Sequence, residues 1–426
     1  MSKVESCRKN FPNGALQRFK KHAYQTKGKH MHSRGMRPMA LCVAAALYLL
    51  PALALGGPYP PVDQKRPPIV LKTHGIFWAG GQIVNRTQSG TENAGDQKDI
   101  PYNQQQILVG QAYVEYFIPQ KLRNGKNPIP IVLVPGGALV GVHYLTTPDG
   151  REGWADFFIR RGFPVYVVDV PGRGRAGFMP DQFNDVRAGV VAPNTQAELR
   201  TWDSSAWLEW NTGPVPAPSP AHGLHDPSCI GNDARDPNNP PVYCNGDLMP
   251  ALDTEGYKHW LGALMPEGPV AGGADPGLIA VLEKIGPAVY IGHSQAGTTG
   301  GRIANEKPEL FKAIIGIEPQ GDCMLPPKAV IKGLTKVPTF SIHGINQVGR
   351  PDTGPCLETY DKIKKAGGDA IYLSLPKLPQ APLFDKIPQA GIWGNDHIMM
   401  WNKNSDQIAD ILLKWIEKHV EKKSKR

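Results

Sequence analysis

Short apolar runs alternate with helical patterns along most of the chain after residue 100. The runs end in glycine, proline or a polar residue, as buried strands of a parallel sheet do before a helix begins. This alternation predicts an α/β fold with a mostly parallel sheet flanked by helices. The predicted strands are Ile107–Pro119, Ile129–Gly137, Phe163–Gly174, Ala288–Gly292, Phe311–Gly321, Val337–Gly344 and Ala370–Pro376.

The alternation stops within about residues 178–285, between the third predicted strand and the run that precedes Ser294. This stretch is rich in Pro, Asn, Gly and Trp and is too long for a simple loop. We interpret it as a cap inserted over the C-terminal edge of the sheet. Trp202, Trp207 and Trp210 either line an acyl pocket there or form the small core of the cap itself.

The basic charge of the chain is concentrated at its N-terminus. Residues 1–54 hold ten of the 47 Lys and Arg residues but a single acidic residue, so the remainder is neutral and predicts no nucleic-acid-binding face. An apolar run, Ala40–Leu55, follows the basic segment, is short for a membrane span and ends in small residues suited to signal peptidase. We interpret residues 1–54 as a signal peptide with a basic extension, the alternative being a retained signal anchor. The mature protein is then secreted, without a stable membrane anchor.

Four cysteines remain after residue 54: Cys229, Cys244, Cys323 and Cys356. An even number in an exported protein favours disulfides, for which three pairings exist. Proximity in sequence favours Cys229–Cys244, which leaves Cys323–Cys356. The spacing of Cys and His residues does not indicate a zinc site.

A serine between small residues follows one apolar run and precedes a helical stretch. The motif is Gly292-His293-Ser294-Gln295-Ala296. A strand, a tight turn carrying Ser and a helix form a nucleophile elbow, in which small neighbours allow close packing. Ala296 stands where the usual G-x-S-x-G pattern has glycine. Ser294 is therefore the predicted nucleophile, and a structural serine in a glycine-rich turn is the alternative.

A histidine and a carboxylate follow Ser294 in the order that this arrangement requires. His397 lies after the last predicted strand and before the last helix, where the general base belongs. Glu318 lies at the C-terminal tip of the predicted strand Phe311–Gly321, and a carboxylate closing an apolar strand needs a polar partner such as an imidazole. Glu318 is the predicted acid, with Asp352 and Asp322 as alternatives.

Two backbone donors are predicted to stabilise an oxyanion. One is the N–H of Gln295, the residue after the nucleophile. The other comes from the loop after Ile129–Gly137, where Gly137 and Ala138 let the backbone approach a tetrahedral oxygen closely. Pro135 stands where such loops often have histidine.

Four further residues are interpreted as structural. His293 is predicted to face away from the nucleophile and pack, and Asp396 to shape the loop of the base. Arg173 and Arg175 lie in "PGRGRAG", which lacks the spacing of a phosphate-binding loop. Both arginines are therefore predicted to be exposed on a turn.

Ser294, Glu318, His397 and the glycine loop together resemble the α/β-hydrolase superfamily. Thr146–Gly177 is similar to a subgroup of secreted microbial serine carboxylesterases whose acid is Glu after the sixth strand. The resemblance extends over roughly residues 68–420 except most of the cap, and implies an α/β-hydrolase domain within residues 55–426. It implies a serine esterase without cofactor or metal that acts on a small-molecule ester. The alternatives are an acyltransferase of the same fold and a catalytically silent binding protein.

Overall fold

The structure, a computed structural model, describes most of the chain from residue 66 to residue 421. All described residues belong to the unit Pro58–Arg426. The described ranges are 66–85, 106–123, 128–178, 254–268, 273–320, 329–344, 353–377 and 387–421, with a few single positions between them. The predicted signal peptide and the greater part of the predicted cap lie outside these ranges.

Within the described residues, eight strands form one mixed sheet in the order β1-β2-β4-β3-β5-β6-β7-β8. The pairs β1–β2 and β2–β4 are antiparallel, and every pair from β4 to β8 is parallel. The prediction of a mostly parallel sheet flanked by helices is confirmed. The strands are β1 (Leu71–Asn85), β2 (Gln106–Pro119), β3 (Ile131–Val134), β4 (Val165–Asp169), β5 (Ala288–His293), β6 (Phe311–Ile317), β7 (Thr339–His343) and β8 (Ala370–Ser374).

Helices cover both faces of this sheet. The described ones are α1 (Trp154–Arg160), α2 (Thr254–Gly262), α3 (Asp275–Ile285), α4 (Gln295–Glu306), α5 (Thr353–Lys365) and α6 (Ser405–Ile416). Helix α6 begins at Ser405, with Asn404 as its N-cap residue. Across the described residues, no helix is both long and apolar enough to cross a membrane.

Strand β3 illustrates how the sheet separates two cores. Its side chains alternate, so Ile131 and Leu133 pack with α1 and α6, whereas Val132 and Val134 pack with α3 and α4. All four residues are buried, as expected for a parallel strand covered on both faces. The indole N–H of Trp154 donates to the Ser405 carbonyl at 3.0 Å and joins the starts of α1 and α6.

The long strand β1 was not predicted from the sequence. It contains Gly75, Gly80 and Gly81, which weaken the strand pattern. It forms because it pairs with β2 along most of its length. Helix α3, at the end of the predicted cap, packs against β1 and β2 and leads directly into β5.

Helix α4 packs so closely on its surroundings that a methyl group at Gly301 would lie 1.9 Å from the Met324 carbonyl oxygen. We expect Gly301→Ala to lower the free energy of unfolding by about 1–3 kcal/mol, because the backbone must shift to admit the methyl group. Gly262→Ala is the matched control, since among the described residues nothing beyond its own helix and chain neighbours lies within 4 Å of the added carbon. It should stay within about 0.5 kcal/mol of the unmodified protein. Urea unfolding of both variants tests this, and equal stabilities would contradict the close packing.

Candidate active site

Ser294 lies in the sharp turn between β5 and α4, at the C-terminal edge of the sheet. Its backbone has φ 49° and ψ −121°, a conformation that residues other than glycine rarely adopt. The turn is joined to the end of β6, because the Ser294 N–H donates to the Ile317 carbonyl at 2.8 Å. The Gln320 N–H in turn donates to the Ser294 carbonyl at 3.0 Å. Strand, strained serine and helix have the geometry of a nucleophile elbow.

The small residues around Ser294 have different steric roles. A methyl group at Gly292 would lie 2.6 Å from the Ala296 carbonyl oxygen, so a side chain there would force the turn apart. The side chain of Ala296 itself is buried within the second core. Gly297 lies under Pro319, where an added carbon would be 3.2 Å from the proline Cβ. The departure from the usual motif at Ala296 is therefore accommodated by packing.

Glu318 and His397 form a buried pair. Glu318 follows β6 directly, has φ 46° and is fully buried. Its Oε2 lies 2.9 Å from Nδ1 of His397, while its Oε1 accepts a hydrogen bond from the N–H of Gly344 after β7. The Glu318 N–H donates to the Ile342 carbonyl at 2.9 Å. The carboxylate that contacts the imidazole is thus held between the ends of two adjacent strands, β6 and β7.

Of the other acidic residues considered in the sequence analysis, the structure describes only Asp396. Asp322 and Asp352 lie outside the described residues. Asp396 is buried, and its Oδ1 accepts hydrogen bonds from the N–H of Ile398 at 2.9 Å and from Asn402 at 3.0 Å. Burial raises the pKa of Asp396 well above its usual range, although the hydrogen bond from Asn402 acts against this. Its contacts lie within the loop that carries His397.

The backbone of His397 is held from two sides. The Nε2 of His293 lies 2.8 Å from the His397 carbonyl, and the two rings are 4.6 Å apart. The N–H of His397 donates to the Trp210 carbonyl at 3.0 Å, and the Trp210 ring lies 6.0 Å from the imidazole. Trp210 is thus buried against His397, whereas Trp202 and Trp207 lie outside the described residues. His293 supports the loop that carries His397 in addition to packing, which no pattern in the motif indicated.

Two buried histidines lie behind this loop. The rings of His143 and His293 are 5.8 Å apart, and Nδ1 of His143 contacts the Val140 carbonyl. Burial, together with a smaller effect of the neighbouring His293, lowers the pKa of His143 to about 3. Burial also lowers the pKa of His293 well below its usual range. Both side chains are therefore neutral at neutral pH.

The predicted oxyanion loop lies beside the elbow. A methyl group at Gly136 would be 2.7 Å from Cβ of Ser294, so glycine is required for this approach. The Leu139 N–H donates to the Gly136 carbonyl at 3.3 Å and closes a turn in which Ala138 has φ 55°. The Ala138 N–H donates to Oε2 of Glu267 at 3.1 Å. Glu267 was not singled out in the sequence, because its stretch has no regular pattern.

The prediction that Arg173 and Arg175 are exposed is wrong. Arg173 is buried, and its guanidinium donates to the carbonyls of Gly136 and Leu139. Arg175 is partly buried, and its guanidinium lies 2.8 Å from Asp169 at the end of β4. It also forms an ion pair with Glu115 on β2. A turn pattern does not reveal burial that arises from distant segments of the chain.

The structure describes one of the four cysteines that were predicted to form disulfides. Cys356 is fully buried on α5, whereas Cys229, Cys244 and Cys323 lie outside the described residues. Their pairing therefore stays a prediction. In the part of the chain that the structure describes, no group of three or more His, Cys, Asp or Glu side chains could hold a metal ion.

The sheet order and the sharp turn at Ser294 together define the α/β-hydrolase fold. A bacterial esterase of known structure is 26% identical and superposes with a TM-score of 0.64. The match covers 83% of this chain and 98% of the esterase chain. A probable secreted lipase (phiG) of a fungal species is 27% identical in an alignment of 350 residues that covers 72% of this chain and 85% of that protein. No family model matches the chain.

The buried histidines predict an acid-sensitive stability. An unfolded histidine titrates near pH 6.5, about three units above His143 in the folded protein. Between these pKa values the unfolded chain binds a proton that the folded chain does not, so the free energy of unfolding falls as the pH drops from about 6.5 towards 3. Replacement of one such group, in His143→Phe, should reduce this slope by up to about 1.4 kcal/mol per pH unit. Urea unfolding of the unmodified protein and the variant between these pH values measures it, and identical slopes would contradict the assignment.

Proposed function

We propose that the chain is a serine hydrolase that cleaves carboxylic esters through an acyl-enzyme. The observation that carries the proposal is the buried contact of 2.9 Å between Glu318 Oε2 and His397 Nδ1. Glu318 directly follows β6, the strand next to the strained Ser294. Ser294, Glu318 and His397 also occur in the chain order Ser, acid, His of this fold. A buried histidine that only fills space does not need a carboxylate on Nδ1 beside a nucleophile elbow.

In the proposed reaction, Oγ of Ser294 attacks the ester carbonyl carbon and its proton passes to Nε2 of His397. The tetrahedral intermediate collapses as His397 gives that proton to the departing alcohol. Water then attacks the acyl-enzyme with His397 again as the base, and the carboxylic acid leaves with Ser294 restored. Glu318 keeps the proton of the neutral imidazole on Nδ1 and stabilises the imidazolium that forms.

The oxyanion of each tetrahedral intermediate needs backbone donors. We assign this role to the N–H of Gln295 and to the loop of Gly137 and Ala138. The assignment is supported by the close approach of that loop to Ser294. Each donor stabilises the transition state by about 3–4 kcal/mol where it is well aligned.

The names of the two relatives, a lipase and an esterase, support a small-molecule ester as the substrate. We further propose that the enzyme is exported, with residues 1–54 as the signal peptide and residues 55–426 as the mature hydrolase domain with its cap. The fungal relative is described as secreted, which supports this. Export would allow the pairs Cys229–Cys244 and Cys323–Cys356 to form.

Labelling with a fluorophosphonate tests the proposed nucleophile. Ser294 should be the labelled residue, because only an activated serine reacts at a useful rate. Ser294→Ala should lose both labelling and turnover of a chromogenic ester. Turnover that survives in Ser294→Ala would contradict the proposed function.

The acid is tested by a pair of variants. Glu318→Gln should keep the fold and lower kcat by roughly 10⁴, the scale seen when the acid of a triad is neutralised. Asp352→Asn is the matched control and should stay within a few-fold of the unmodified enzyme. An inactive Asp352→Asn together with an active Glu318→Gln would move the acid to the loop after β7.

A further inference from the structure

Three polar side chains meet at the loop proposed to bind the oxyanion. Arg173 Nη2 lies 2.7 Å from Oε1 of Gln295 and 3.4 Å from Oε1 of Glu267. The amide nitrogen of Gln295 donates to the same Glu267 oxygen at 3.3 Å. These residues come from three separate parts of the chain, and none of them belongs to the proposed triad.

The guanidinium of Arg173 holds this loop by binding two of the loop's backbone carbonyl groups. Its Nη1 donates to the Gly136 carbonyl and lies 3.4 Å from that of Leu139. In a planar trans peptide the C=O and the following N–H point in opposite directions. A fixed Gly136 carbonyl therefore fixes the direction of the Gly137 N–H, which faces away from the guanidinium.

Glu267 holds the other side of the same turn. Its Oε2 accepts from the Ala138 N–H at 3.1 Å, while the Met265 N–H donates to the Ala138 carbonyl at 2.9 Å. Both backbone groups of Ala138 are thus bound by one segment, which maintains its φ of 55°. With the Ala138 N–H bound to a carboxylate, Gly137 supplies the N–H that remains for an oxyanion.

The charges of this pair depend on one another. The side chain of Arg173 is 3% exposed and that of Glu267 is 27% exposed. Burial lowers the pKa of Arg173, and the charge of Glu267 opposes this effect. A buried guanidinium without a counter-ion is strongly destabilising, so the loss of Glu267 should weaken the hold of Arg173 on the loop.

We propose that Arg173 and Glu267 are a positioning pair that orients the Gly137 N–H as the second oxyanion donor, an inference that rests on the proposed ester hydrolysis. The pair does not touch the reacting atoms. Its contribution is confined to the transition state, since the donor it orients bonds most strongly to the developing oxyanion. In the opposite arrangement, Glu267 blocks the donor and must leave before the substrate binds. Removal of its charge would then raise kcat, whereas the positioning role predicts that kcat falls.

The test measures kcat, KM and inhibition by phenylboronic acid for Glu267→Gln and Arg173→Lys in the full chain. A boronate forms a tetrahedral adduct with the serine and therefore reports on the oxyanion donors. We expect kcat to fall roughly 10- to 100-fold, the scale for a misplaced donor. The inhibition constant should rise by a similar factor, while KM stays within about two-fold. Glu283→Gln, which alters an exposed glutamate paired with Lys307, is the matched control and should change none of these values.

Each other outcome overturns the positioning role. An unchanged kcat, or an increase after Glu267→Gln, would identify the carboxylate as neutral or blocking. A fall in kcat with unchanged boronate binding would indicate a defect elsewhere. If Glu267→Gln does not fold, Glu267→Asp keeps the charge with a shorter reach and should show the same paired loss. Complete fluorophosphonate labelling of Ser294 in these variants separates failure of the pair from failure of the proposed function.

Discussion

The strained backbone of Ser294 depends on hydrogen bonds to the end of the neighbouring strand. Such a conformation costs of order 1–3 kcal/mol and persists only where the surroundings hold it. Here the Ser294 N–H and carbonyl bind residues on either side of Glu318, at Ile317 and Gln320. The proposed nucleophile and acid are therefore parts of one hydrogen-bonded junction between β5 and β6. A change that displaces the end of β6 moves both groups together, so their relative positions are less sensitive to such a displacement than those of residues on separate loops.

The position of the acid follows from what occupies the end of the next strand. Gly344 follows β7 and donates its N–H to Oε1 of Glu318. A side chain at Gly344 would meet the Asn395 carbonyl at 2.7 Å and Glu318 at 3.3 Å. The backbone after β7 therefore serves as a hydrogen-bond donor to a carboxylate from β6. One oxygen of Glu318 binds this backbone while the other contacts His397 at 2.9 Å, so the orientation of the carboxylate does not rely on the imidazole alone.

Local pattern was sufficient to predict the parallel strands and the positions of Ser294 and Glu318 at strand ends, because both follow apolar runs that are visible in the sequence. His397 was placed only by its order in the chain, between the last predicted strand and the last helix. Strand β1 was missed, since its stability comes from pairing with β2 and not from its own glycine-containing sequence. Arg173 was interpreted as exposed, because the carbonyls that bury it lie more than 30 residues away in the chain. Contacts between distant segments decide the strand pairing in the first case and the burial in the second, and the single sequence contains no local signal for them.

The charges behind the proposed triad are arranged so that Glu318 would have one main counter-ion, the imidazolium of His397, during the proposed reaction. Burial lowers the pKa of His293 well below its usual range and that of His143 to about 3, so neither competes for the carboxylate as a cation at neutral pH. Burial also raises the pKa of Asp396 well above its usual range, which favours its neutral form and limits repulsion of Glu318. In a buried site of low effective dielectric, a lone carboxylate interacts more strongly with an imidazolium than it would in water. In the proposed reaction, the neutral histidines leave His397 as the group whose protonation Glu318 would stabilise, with the surrounding dipoles already held in place.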